Sequence, residues 1–241
     1  MRATLLSPIF SALLSATLLL STAFAPAHAQ RAPLPGLAEG VDYKYIEGGK
    51  PYRAVPGKIE VAEVFAYWCS HCANFAPMLE SWKRTLPKNA QLVYVPSALD
   101  RTDAFARFYF AADAAKAVPV LHPRLFKAIH ESGELPRAAE LAQIASFGAR
   151  VPGVNAKALA AALKDSKSLD AKIQQAYDFA VRSQIPGTPA LVINGRYLVL
   201  GNSYQGLLDN ANRVIKAIAP AAKPADKPPA DKPAAPKPAA R

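Results

Sequence analysis

Strand-like and helix-like patterns alternate along the chain. Residues 58–67 (KIEVAEVFAY) and 91–99 (QLVYVPSAL) are short runs rich in β-branched and aromatic residues, which is typical of strands in a central sheet. Residues 190–200 (ALVINGRYLVL) hold two further runs around Asn194 and Gly195, a pair that favours a tight hairpin because both positions tolerate positive φ. This alternation predicts a mixed α/β domain.

The middle of the chain has a different pattern. From residue 103 to about residue 184 it is rich in Ala, Leu, Lys and Gln and poor in β-branched residues, which predicts helix almost throughout. We therefore expect an all-helical insertion at about residues 103–168, and a closing helix at residues 204–218. Because proline removes a backbone donor and clashes one turn back, four prolines are expected to divide the helical region: Pro119, Pro123, Pro136 and Pro152.

The N-terminus has the features of a secretory signal peptide. Arg2 supplies positive charge, residues 9–20 (IFSALLSATLLL) form an apolar run, and Ala27-His28-Ala29 is a small-x-small cleavage signature. A membrane anchor is the alternative, but it needs about 20 predominantly apolar residues, and Ser and Thr interrupt this stretch earlier. We predict that residues 1–29 are removed on export, leaving one domain at residues 30–218.

The C-terminal segment, residues 219–241, repeats Lys-Pro with Ala and Asp and has nothing that could form a core. It is predicted to be a disordered tail, either a solubilising spacer or a tether to cell wall or membrane, and the composition favours the spacer. The formal net charge of +11 is spread along the chain without a dense basic block. Nucleic acid is therefore not an expected partner, although an attraction to anionic membrane surfaces stays open.

The chain of 241 residues contains two cysteines, Cys69 and Cys72, placed where a strand runs into a helix. At the N-terminus of that helix, free N–H groups and the helix dipole are expected to stabilise a Cys69 thiolate, and His71 is expected to add a hydrogen bond or a charge. Cys72, one turn further in, should be the more buried sulfur. Because a stabilised thiolate favours the reduced form, the disulfide should be a strong oxidant. One buried helix face is expected from the spacing of Phe75, Met78, Leu79 and Trp82.

Two other roles for the cysteine pair fit the sequence less well. A structural zinc site would need four ligands, and His71, His122 and His130 lack the paired spacing of such sites. A purely structural disulfide between residues so close in sequence would close too small a loop to constrain the unfolded chain much. Redox activity is therefore favoured, and no metal is expected.

The motif FAYWCSHC at residues 65–72 and the segment IPGTPALVINGRY near the end resemble the DsbA-type thiol:disulfide oxidoreductases of the bacterial periplasm. The resemblance implies a thioredoxin-like fold with an inserted all-helical subdomain. It also implies that Pro189, preceded by Thr188, is a cis proline that faces the cysteines, and that the backbone of Thr188 pairs with bound substrate. Strong oxidants of the family carry Pro-His between the cysteines, whereas this chain has Ser70-His71.

Glu63 lies in the strand that leads to Cys69, among apolar neighbours, where a carboxylate is costly unless it is hydrogen-bonded or protonated. The family has a glutamate here that tunes proton transfer near the buried cysteine, usually paired with a lysine on the following strand. That strand has no lysine in this chain, so the pairing is either missing or replaced, with Tyr94 as the candidate partner, and we expect a raised pKa for Glu63. A solvent-exposed Glu63 at a strand edge is the alternative.

Together these features predict a monomeric periplasmic oxidase that donates its own Cys69–Cys72 disulfide to reduced exported proteins and needs no other cofactor. The substrate chain is expected in an apolar groove near Trp68 and Pro189. The resemblance further implies reoxidation by a DsbB-type, quinone-linked membrane protein. Two alternatives stay open: an isomerase or reductant of the same superfamily, whose N-terminal dimerisation domain would not fit in residues 30–57, and a redox-inert chaperone.

Overall fold

The computed structural model describes residues 32–98, 100 and 102–219. The predictions for the signal peptide and for nearly all of the C-terminal tail fall outside these residues. Every helix and strand given below lies in the compact unit that begins at Pro33.

Five strands form one mixed sheet in the order β1-β5-β4-β2-β3. Their bounds are β1 Tyr43–Tyr45, β2 Ile59–Phe65, β3 Ala90–Pro96, β4 Ala190–Ile193 and β5 Tyr197–Val199. Strands β2 and β3 are parallel, and the other neighbouring pairs are antiparallel. The sheet confirms the predicted strands near residues 58–67, 91–99 and 190–200, with shorter bounds for each.

The seven residues of β2 are all buried, because the strand lies between β3 and β4. A strand in this position needs apolar side chains on both faces, which explains its near-continuous apolar sequence. The hairpin between β4 and β5 turns at Asn194 and Gly195, whose φ angles are 50° and 65°. A side chain at Gly195 would also collide with the backbone of Lys50, since a Cβ there would lie 1.9 Å from the Lys50 carbonyl oxygen.

Seven helices complete the described fold. Their bounds are α1 Ser70–Lys83, α2 Ala104–Ala114, α3 Val118–His130, α4 Leu141–Arg150, α5 Ala156–Lys164, α6 Ser166–Arg182 and α7 Tyr204–Ile218. Helix α1 connects the parallel strands β2 and β3, and α2 to α6 follow one another between β3 and β4. Helix α7 has the bounds expected from the sequence. The alternation of strands and helices confirms the α/β fold class.

Three details of the sequence interpretation need correction. Pro123 does not separate two helices but lies inside α3, since a single missing N–H early in a helix of 13 residues does not end it. Residue 168, the expected end of the insertion, lies inside α6, which begins after the Asp165 cap. Strand β1 was missed because three residues are too short to show a period, although Tyr43 is fully buried and pairs with Val199.

His122 of α3 lies in an aromatic cluster beside the sheet, and its Nδ1 is 2.9 Å from the Tyr67 hydroxyl. Burial, with a smaller effect of the Lys83 charge, lowers the pKa of His122 to about 3. The ring is therefore neutral in the folded protein, and the tautomer of the ring decides whether Nδ1 or the Tyr67 hydroxyl donates this hydrogen bond. The rings nearest to it belong to Phe65, Tyr67, Tyr94 and Phe126.

We expect His122→Gln to reduce the acid sensitivity of the fold. The unfolded chain binds a proton at His122 below about pH 6.5, whereas the folded protein does not bind one until about pH 3, so wild-type stability falls as the pH falls between these values. Urea unfolding at pH 6 and pH 4 should show that the free energy of unfolding falls by about 2 kcal/mol less in the variant than in the wild type. An equal loss in both proteins would contradict a neutral buried His122.

Candidate active site

Cys69 occupies the N-cap of α1, directly after the turn that follows β2. Its backbone is extended, with φ of −80° and ψ of 117°, and its Sγ accepts the N–H of Cys72 at 3.3 Å. The first N–H groups of a helix have no partner within the helix, so an acceptor at the N-cap is stabilised. A negative charge on this sulfur gains both the hydrogen bond and the favourable end of the helix dipole.

The two sulfurs have different surroundings. Both cysteines are free thiols, with Cys69 8% exposed and Cys72 0% exposed. Burial raises the pKa of the Cys72 thiol well above its ordinary range, and the adjacent Cys69 sulfur adds to the rise. Cys69 is thus the sulfur that a substrate can reach, and Cys72 strongly favours its protonated form.

The loop before β4 faces Cys69. The peptide bond between Thr188 and Pro189 is cis, as the resemblance implied, and the Cys69 thiol donates to the Thr188 carbonyl oxygen at 3.4 Å. The structure therefore brings together residues that lie 119 positions apart in the chain.

His71 is exposed at the start of α1, and its Nδ1 lies 3.1 Å from the Tyr204 hydroxyl. Within the described part of the chain no hydrogen bond joins His71 to Cys69, so of the two expected contributions, a hydrogen bond or a charge, the hydrogen bond is absent. Tyr204 begins α7 and packs on Phe75 with 5.4 Å between ring centroids. Sequence reasoning missed Tyr204, because nothing in the local pattern pairs it with a histidine so distant in the chain.

A groove of about 690 Å³ opens beside the cysteines. Thr188 and Pro189 line it, together with His71 and Tyr204, and Leu198, Leu200 and Leu207 supply apolar surface. Trp68 is not among the residues that line this groove, and its expected role in substrate binding stays a prediction. The Trp68 side chain is half-buried, and its indole N–H is buried without an acceptor among the residues that the structure describes.

Glu63 is 2% exposed in β2, which rules out a solvent-facing side chain at a strand edge. Burial raises the pKa of Glu63 to about 8; the negative charges of Glu80 and Cys69 contribute to the rise, and Lys83 opposes it. At neutral pH the carboxyl group therefore holds its proton for most of the time. A group with this pKa can give a proton to a nearby thiolate and recover it near pH 7.

Tyr94 does not replace the family lysine as a partner of Glu63. It lies beside Glu63 in the register of β2 and β3, but its hydroxyl donates to a carboxylate oxygen of Glu80 on α1. The cation in this region is Lys83, which also lies on α1. The family lysine would lie on the following strand, whereas here the positive charge that acts on Glu63 comes from the helix that carries the cysteines.

No cluster of three or more His, Cys, Asp or Glu side chains suited to a metal ion occurs within residues 32–98, 100 and 102–219. In the same residues, no helix combines the length and the apolar character that a membrane crossing requires.

Comparison with known proteins gives a consistent result. The family model described as DSBA-like thioredoxin domain matches residues 60–212. The chain belongs to this family. The DsbA-type chain is 35% identical over 216 residues to the thiol:disulfide interchange protein DsbA of Bordetella parapertussis, covering 87% of this chain and 97% of that protein. It is 30% identical to the DsbA of Burkholderia cepacia, covering 84% and 93% of the two chains.

Among solved structures, the oxidoreductase DsbA from Xylella fastidiosa superposes with a TM-score of 0.70 at 33% identity. The match covers 76% of the DsbA-type chain and 97% of that structure. The thioredoxin-like fold is thereby confirmed, and so is the assignment as a thiol:disulfide oxidoreductase. The roles of the individual site residues stay predictions.

Proposed function

We propose that this oxidoreductase acts as the disulfide donor for newly exported proteins, with Cys69 as the sulfur that exchanges. The observation that carries the proposal is the position of Cys69. Its sulfur caps α1, lies 3.4 Å from the carbonyl oxygen of Thr188, which lines the apolar groove, and belongs to the more exposed cysteine of the pair. An oxidant is favoured because the cap position at α1 stabilises a Cys69 thiolate and therefore the reduced form.

In the proposed reaction a substrate thiolate attacks Cys69 of the oxidised protein. The new bond joins the substrate sulfur to Cys69 Sγ, the Cys69–Cys72 bond breaks, and its electron pair stays on Cys72 Sγ, which takes a proton. We assign that proton to Glu63. A second substrate thiolate then attacks the substrate sulfur of the mixed disulfide, and Cys69 leaves as a thiolate. The substrate has lost two electrons, and the protein has gained them.

The groove provides a place for an extended substrate segment. Pro189 and the leucines lining the groove favour apolar side chains, while the backbone of Thr188 is proposed to pair with the substrate backbone. Trp68 could contribute only through the part of its side chain that stays accessible. We propose His71 as a catalytic residue that acts from the rim of the groove, where Tyr204 holds its ring.

The place of action and the partners follow from the same proposal. An exported oxidase would meet its substrates as unfolded chains in the periplasm and would be returned to the disulfide form by a DsbB-type membrane protein. The Cys69–Cys72 disulfide would be the only redox group needed, and the protein would act as a monomer.

A transfer assay in both directions tests the function. The oxidised protein should oxidise a reduced two-cysteine peptide stoichiometrically within seconds, while the reduced protein should reduce the oxidised peptide only slightly. The same peptide with both cysteines replaced by serine is the control. A net preference for reducing the peptide would identify a reductant instead. Peptide binding without exchange would identify a chaperone.

A further inference from the structure

A charged cluster joins α1 to β3 next to Glu63. The Tyr94 hydroxyl donates to a carboxylate oxygen of Glu80, and Lys83 Nζ lies 3.5 Å from both that hydroxyl and Glu80 Oε1. The Lys83 ammonium also lies 5.2 Å from the centre of the Tyr94 ring. One tyrosine therefore holds both members of an ion pair in place.

The cluster is fixed relative to Glu63 by the sheet. Glu63 and Tyr94 are partners in the parallel register of β2 and β3, so their side chains leave the same face of neighbouring strands about 5 Å apart. Tyr94 is itself held, because the Tyr109 hydroxyl donates to its carbonyl oxygen at 3.4 Å. Glu80, Lys83 and Tyr94 also line a cavity of about 320 Å³, in which charges act with less screening than in bulk water.

Several titratable groups surround Glu63 and can influence the pH at which it loses its proton. Tyr67 and Cys69 follow β2, and Cys72, Glu80 and Lys83 lie on α1. Tyr94 lies on β3, Tyr109 on α2 and His122 on α3. The buried tyrosines stay protonated and His122 stays neutral over the working range. In the oxidised protein the cysteines carry no charge, which leaves Glu80 and Lys83 as the charged members of this group. The Arg53–Asp113 ion pair lines the same cavity and is unchanged in the variants described below.

We propose that Glu80 and Lys83, joined through the Tyr94 hydroxyl, are positioning residues that set the pH at which Glu63 gives up its proton. This proposal rests on the disulfide-donor function for its consequence in catalysis, because Glu63 is the assigned proton donor to Cys72. It places the control of Glu63 on the cysteine-bearing helix instead of on the strand that follows it. The alternative is an ordinary surface pair, since both side chains are 42% exposed.

The two charges act in opposite directions. Lys83→Met removes the cation and leaves the Glu80 charge uncompensated, so Glu63 should release its proton at a higher pH. Glu80→Gln removes the anion and leaves Lys83 uncompensated, so release should occur at a lower pH. We expect each substitution to shift the titration midpoint of Glu63 by about 0.5 to 1 pH unit, since both charges are partly exposed.

Arg84→Met is the matched control, because it also removes a cation from this end of α1. The Arg84 guanidinium donates to the Glu80 carbonyl and the Ser81 hydroxyl instead of joining the Tyr94 cluster.

The direct test is the side-chain ¹³C titration of Glu63 in the full-length oxidised protein, with the signal assigned by Glu63→Gln. Lys83→Met should move the midpoint up, Glu80→Gln should move it down, and Arg84→Met should leave it unchanged. Both shifts should shrink in 0.5 M salt, because the charges are partly exposed. Equal midpoints in all four proteins, or shifts of the same sign in the two cluster variants, would overturn the proposal.

The second readout is the pH profile of disulfide transfer to the reduced peptide. The profile of each cluster variant should move in the direction of its Glu63 midpoint, with the maximal rate changed less than threefold. A wild-type protein that fails to oxidise the peptide would refute the proposed function, while the ¹³C midpoints would still decide the proposal about Glu80 and Lys83. If the Glu63 titration midpoints shift but the pH profile of the transfer rate does not, Glu63 is not the proton donor to Cys72. That result would overturn the proposed consequence for catalysis.

Discussion

Cys69→Ala is expected to lower the rate of disulfide transfer by at least about 10³-fold, the scale of loss that follows removal of a reacting nucleophile. Cys69 is the sulfur that caps α1 and faces the Thr188 carbonyl, and Cys72 is fully buried. The chain has no third cysteine to replace it. Transfer to the reduced peptide can be followed by mass spectrometry of the quenched mixture.

Cys72→Ala is the control that separates attack from resolution. This variant keeps the accessible sulfur and loses the internal partner, so a substrate held by a disulfide to Cys69 cannot be released by Cys72. We expect a covalent adduct of one substrate per protein when the reduced variant is treated with a single-cysteine peptide activated as a mixed disulfide, because that peptide has no second thiol to release the new bond. Residual transfer by Cys69→Ala at more than a tenth of the wild-type rate, or an adduct that maps to Cys72 in the wild type, would contradict the assigned order of attack.

Glu63→Gln is expected to stabilise the reduced protein by about 2 to 4 kcal/mol at pH 8 and to have little effect at pH 4. Burial raises the pKa of Glu63 to about 8 from an ordinary value of 4.5. Between these values the unfolded chain has lost the proton and the folded protein retains it, so wild-type stability falls as the pH rises. A shift of this size corresponds to at most about 5 kcal/mol, and relaxation around the charge reduces it.

Urea unfolding of both proteins at pH 4, 6 and 8, at one ionic strength, gives the free energy of unfolding at each pH. The effect of Glu63 is the difference between the pH dependences of the two proteins. His122 and the other titrating groups contribute equally to both proteins and cancel. Glu60→Gln is an informative comparison, because Glu60 is also buried in β2 but accepts the N–H groups of Tyr52 and Arg53 at 2.6 and 2.5 Å. Parallel pH dependences for wild type and Glu63→Gln would show that Glu63 is ionised normally and would remove it from the mechanism.

The local elements of the site could be predicted from sequence because each depends on neighbouring residues. The run of residues 58–67, the step into a helix at Cys69 and the Asn194-Gly195 turn all have short-range causes: β-branched composition, helix-end chemistry and positive φ. The relative burial of the two cysteines follows from helix geometry. The bounds of α7 were predicted correctly because its apolar period and its Ser203 cap are both local.

The contacts between distant segments could not be predicted in this way. The partner of His71 is Tyr204, and the partner of Tyr94 is Glu80; both depend on how α7 and α1 pack, which no local pattern reports. The cis bond before Pro189 was implied by family resemblance and not by composition. Strand β1 was missed because its three residues are strand only through pairing with β5.

The central claim is that the surroundings of Cys69 stabilise the reduced form, so that the disulfide is readily given away. Equilibration of the protein with defined mixtures of reduced and oxidised glutathione, followed by acid quenching and mass analysis, measures this directly. A reduction potential clearly above about −220 mV, the upper end of the range measured for the cytosolic glutathione pool, is the expected result. A potential at or below that value would contradict the account.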